Sequence, residues 1–134
     1  MSGKSGKVMR LPLRERARVD PVKALQLRRE LGPPGAERLM RSQVRRLTVL
    51  LMRMEALRHP APSVREEEEF RRLGDRMAGL AAEIGLVRIA RVAGDVVALS
   101  AGADEPSAAA AWARLLRLCA AVSGPPEAGI RRSG

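Results

Sequence analysis

The sequence predicts an all-α protein: an antiparallel up-down-up-down four-helix bundle with a short extra N-terminal helix. Three observations carry that expectation. Apolar residues recur at three- and four-residue steps through four long stretches, the spacing of helices that each bury one face. The connections between the stretches are short and marked by proline or glycine, which makes consecutive helices antiparallel neighbours. Phe70 and Trp112 are the only aromatic residues, although 46% of the chain is hydrophobic. The core is therefore expected to be Leu, Val, Ile, Met and Ala, a composition that suits packed helices better than a β-sandwich. A length of 134 residues suits a single domain.

Residues 1–19 read as a basic flexible tail, with Lys4, Lys7, Arg10, Arg14, Arg16 and Arg18 against Glu15 alone. Its one apolar patch offers Leu11 and Leu13 for docking. The helical body is expected over 20–123. Asp20 and Pro21 open the first, short helix, with Asp as N-cap and Pro at the first helical position. It runs to about residue 31, with Ala24, Leu25, Leu27 and Leu31 available for packing, and Gly32-Pro33-Pro34-Gly35 breaks it. A second helix over about 36–58 places Met40, Val44, Leu47, Leu51 and Met54 on one stripe, widened by Leu50 and Leu57. Arg38, Arg41 and Arg45 share its outer face. His59-Pro60-Ala61-Pro62 is a rigid turn.

Ser63 caps the third helix, and Glu66 completes a capping box. The block Glu66 to Glu69 fills the first turns, where the helix dipole favours negative charge. Phe70, Leu73, Met77, Leu80, Ala81 and Ile84 form the buried stripe. Asp75, Gly79 and Ala82 face the other way, with Arg72 one turn back. A glycine on an exposed helix face costs about 1 kcal/mol relative to alanine, and a partner approaching closely at Gly79 explains it. Gly85 ends the helix or loosens it. A fourth helix over about 87–100 turns Ile89, Val92, Val96 and Leu99 inward. The fifth opens at Pro106 or Ser107 and runs to about Val122, with Ala108, Trp112, Leu115, Leu118, Cys119 and Val122 inside. Residues 124–134 read as a second flexible tail.

Charge narrows the choice of partners. The net charge is +10, of which +5 falls in residues 1–19 and +1 in residues 124–134, leaving +4 for the body. A nucleic-acid-associated protein working through its arginine-rich tail is thus one expectation. The acidic block and the lack of stacking aromatics weigh against it. The single Cys119 excludes an internal disulfide and a Cys-based zinc site and fits a reducing compartment. No apolar run reaches the roughly 18 residues of a membrane span, and no apolar segment of a signal peptide follows the basic N-terminus. A cytoplasmic protein without a membrane partner is expected. His59 is the only histidine and reads as a solvated loop residue. With one histidine and one cysteine, the residues point to no metal, no cofactor and no catalytic constellation. A binding protein is expected rather than an enzyme.

The order of elements adds a resemblance. Val19-Asp20-Pro21, a leucine-rich short helix, a long helix, a helix carrying Gly79 and Gly85, and two further helices together resemble the histidine phosphotransfer (HPt) domain of bacterial phosphorelays over about residues 18–123. That family carries the motif His-x-Leu-Lys-Gly-(five residues)-Gly on its third helix. Met77 stands for the motif's leucine, Gly79 and Gly85 for its glycines, and Ala81 for a small residue between them. Leu86 followed by Arg88 and Ile89 resembles the opening of the family's next helix. Two positions depart: Asp75 stands where the family has its phosphoacceptor histidine, and Ala78 where it has lysine. The resemblance implies a degenerate, pseudo-phosphotransfer member of a two-component signalling system. Such a protein would bind a response-regulator receiver domain or a histidine kinase without carrying phosphate. It implies a docking surface at Arg72, Asp75, Arg76, Ala78, Gly79 and Ala82, with Asp75 as a non-functional acceptor position. It leaves the oligomeric state open.

Overall fold

The computed structural model describes residues 19–102 and 104–123. The two tail readings, including docking at Leu11 and Leu13, fall outside the described residues. The body is the expected all-α bundle: α1 (Pro21–Ala56), α2 (Val64–Glu83), α3 (Val87–Ser100) and α4 (Glu105–Ser123). The backbones lie closest between α1 and α2, α2 and α3, α3 and α4, and α4 and α1, so each helix has the next as its neighbour. Four antiparallel helices in a closed ring bury one stripe each, so the core lies along the shared axis.

The core is aliphatic. Leu47 and Met54 from α1, Met77 from α2, Ile89 and Val92 from α3, and Leu115 and Leu118 from α4 are all almost wholly buried. Ile84 and Leu86 join them from the α2–α3 corner. Full burial of such a side chain stabilises by about 1.5–3 kcal/mol, and truncating one to alanine costs about 2–5 kcal/mol. Trp112 and Phe70 meet at 6.0 Å between ring centroids, tilted by 45°, and tie α4 to α2 near the α1–α2 loop.

Several local expectations change. The break in α1 is confined to Gly32, whose φ of 78° and ψ of 158° leave the helix for one residue. Pro33 and Pro34 then open the longer arm instead of extending the break, because proline fits the first turn of a helix, where no N–H partner is needed. Asp20 occupies the N-cap position but makes no side-chain capping bond. Its backbone N–H donates instead to Gly85 O at 2.8 Å. Val19, assigned to the flexible tail, pairs with Leu86 in an isolated antiparallel bridge. Leu25 and Leu31 are about half exposed, and only Ala24 and Leu27 of the short arm turn inward. That arm rests on the α2–α3 corner rather than entering the core.

Candidate docking surface

Two caps fix the position of α2. At its start the Ser63 hydroxyl accepts from Glu66 N–H at 3.1 Å, and the Glu66 carboxylate accepts from Ser63 N–H at 2.8 Å. The Ser63 backbone bond, followed by the His59 side chain, holds the Glu66 carboxyl below its usual range. At the other end Leu86 N–H reaches Ala81 O at 2.8 Å and Gly85 N–H reaches Ala82 O at 3.1 Å, the paired bonds of a Schellman motif. Gly85 sits at φ 80°, and a side chain there would also press on Lys23 and Val19, 3.1–3.2 Å away. Internal geometry alone therefore accounts for this glycine.

Between the caps, Arg72, Asp75, Arg76, Gly79 and Ala82 are exposed and share the outer face of α2. Ala78 is half-buried against the core, at the edge of that face. Arg72 is engaged: its guanidinium lies 2.9 Å from Glu69, which also meets Arg53 of α1 at 3.4 Å. Glu83, one turn beyond Gly79, accepts from the buried Gln43 of α1 at 2.9 Å. Asp75 and Arg76 make no ion pair among the described residues. A Cβ added at Gly79 would meet nothing within 4 Å among the described residues, and none of these requires glycine there. Gly94 of α3 is equally open.

No family model matches the chain, and no curated protein or solved structure matches it either. The family resemblance accordingly rests on helix order and motif spacing.

The sequence of α2 holds no histidine, and Asp75 is the carboxylate at the centre of its exposed face. His59 is remote: it belongs to the α1–α2 loop, and its Nε2 lies 3.1 Å from Glu66. Asp75 is nine residues beyond Glu66, about 13 Å along the helix axis at 1.5 Å per residue. Among the described residues no group of three His, Cys, Asp or Glu side chains could hold a metal ion. No helix of those residues is long and apolar enough to cross a membrane. Cys119 is a buried thiol, and desolvation pushes its pKa up to about 11, which keeps it in the less nucleophilic protonated form near neutral pH.

Gly74 was overlooked in the sequence. It is buried, and a Cβ there would collide with a Val97 methyl of α3 and lie 3.3 Å from the Met54 methyl of α1. The signal was present: Gly74 follows Phe70 by four residues and precedes Met77 by three, which places it on the apolar stripe.

Proposed function

We propose that this protein is an HPt-like docking module of a two-component phosphorelay. It binds a response-regulator receiver domain or a histidine kinase through the outer face of α2 and modulates phosphoryl transfer without carrying phosphate. The observation that carries this reading is Gly79. Unlike Gly85, it has no reason to be glycine among the described residues, and it lies on the exposed face one turn from Asp75. A partner's backbone or side chain can approach the helix more closely there than over any residue with a Cβ. Asp75 cannot replace an imidazole acceptor, because a lone carboxylate lacks the cation and the acidic pocket that let a receiver aspartate take a phosphoryl group. Arg76, which makes no ion pair among the described residues, offers a positive charge beside it for an acidic receiver site, which favours encounter and orientation. Titration with the receiver domains of the source cell tests the reading. Binding to at least one is expected, and Gly79→Gln should weaken it at least tenfold while circular dichroism stays unchanged.

A second reading has one observation in its favour. Arg38, Arg41, Arg45 and Arg46 are exposed along α1 and make no ion pair among the described residues. Such a row fits nucleic-acid phosphates, each contact adding about 0.9 to the salt-dependence slope on duplex DNA. Charge reversal at Arg41 and Arg45 would abolish that binding and leave receiver docking nearly intact.

A further inference from the structure

A cleft of about 580 Å³ opens at the end of the bundle away from Gly85, where the α1–α2 loop, the start of α2, the end of α3 and the start of α4 meet. Its volume lies within the few hundred to about 1,000 Å³ typical of small-molecule sites. Leu57, Phe70, Val96, Leu99 and Trp112 give it an apolar lining. Its charge runs against that of the chain. The lining holds the carboxylates of Glu66, Glu67 and Glu105 against the single cation Arg58, in a protein of net charge +10. Glu66 is committed to the Ser63 cap and to His59. Glu67 and Glu105 are exposed and make no ion pair among the described residues.

Arg58 shows what this place accepts. Its guanidinium carbon lies 4.8 Å from the centroid of the Trp112 ring, a cation–π contact inside the cleft. An apolar hollow with an aromatic wall and two uncommitted carboxylates at its rim is complementary to a cation with an apolar body. We infer that the cleft binds a small organic cation, an alkyl- or aryl-substituted ammonium or guanidinium. Its apolar body would rest on Phe70, Val96 and Leu99, and its charge would compete with Arg58 for Trp112, Glu67 and Glu105. This assignment is independent of the docking face around Gly79.

Trp112 is the only tryptophan, so its fluorescence reports the cleft directly. The full chain is titrated with benzylammonium, with benzyl alcohol and benzoate as neutral and anionic counterparts of the same size. A saturable change with benzylammonium is expected, with little response to the other two. The exposed double variant Glu67→Gln/Glu105→Gln should lower affinity about fivefold, as the loss of two partly solvated ion pairs implies. Arg58→Met, which removes the internal competitor, should raise it at least twofold. Equal binding of benzyl alcohol would reduce the cleft to an apolar crevice and overturn the inference, as would a double variant or an Arg58→Met variant with unchanged affinity. Binding of a Gly-Arg-Gly peptide in place of benzylammonium would assign the cleft to a polypeptide partner and also overturn it.

Discussion

The outer face of α2 and the cleft beneath its first turn belong to the same helix but are built in different ways. The face is local. Arg72, Asp75, Arg76, Gly79 and Ala82 come from one stretch of chain and share a side because of helical periodicity alone. The cleft is assembled from Arg58, Glu67, Phe70, Val96, Glu105 and Trp112, which only the closing of the bundle brings together. The face is exposed and mixed in charge, the character on which the proposed docking of another macromolecule rests. The cleft is concave and acidic, and it suits a small cation. A surface carried by one helix can be read from residue spacing, whereas a concavity depends on which helix ends meet.

The glycines of α2 give the sharpest way to break that contrast, because they should respond with opposite signs. Gly74→Val forces a branched side chain against Val97 and Met54. Overpacking of this kind costs about 1–3 kcal/mol, and the stiffness of the neighbouring Val97 puts this variant at the upper end. Urea denaturation should show a clear fall in the midpoint. Ser63→Ala comes next, removing one half of the capping box for about 1 kcal/mol. Gly79→Ala should instead stabilise the bundle, by up to about 1 kcal/mol, since helix propensity improves and nothing is displaced. A destabilised Gly79→Ala would mean that this face is packed against something within the molecule.

Acid should act on the caps before the core. The Glu66 and Asp104 carboxyls both lie below their usual range, Glu66 through Ser63 and then His59, Asp104 through Ser107. A group whose folded pKa is depressed contributes stability that is present above its unfolded pKa and lost as pH falls through the folded value. Thermal stability should therefore decline below about pH 4.5, and Glu66→Gln should flatten that decline. Cys119 works in the opposite direction: its raised pKa, about 11, means a stabilising effect that is complete below the unfolded thiol pKa and lost as pH rises toward 11. Native protein at pH 8 should resist iodoacetamide, and urea should expose the thiol.

Much of the fold was legible because helical stripes and caps are local. The inward positions of α2, α3 and α4, the Ser63 capping box and the turn at Gly85 all follow from spacing and residue type. Leu25 and Leu31 read as available for packing because the short arm has an apolar side. How deeply that side is buried depends on where the arm docks, which is a tertiary matter. Gly74 adds no apolar side chain to the stripe, so its burial shows only once Val97 and Met54 close over it. Glu69, joining Arg53 of α1 to Arg72 of α2, was also out of reach, because it depends on the facing of two helices. The cleft left no local trace at all.

The measurement closest to the central claim is a binding titration of the full chain, and of its Gly79→Gln variant, against each receiver domain of the source cell, followed by amide chemical shifts. The account predicts saturable binding of at least one receiver, with shifts concentrated at Asp75, Arg76, Gly79 and Ala82 and at least tenfold weaker binding in the variant. No transferable phosphoryl label should appear on the chain. Receiver binding that leaves these amides unmoved and is indifferent to Gly79→Gln would contradict it, and so would the absence of binding to any receiver.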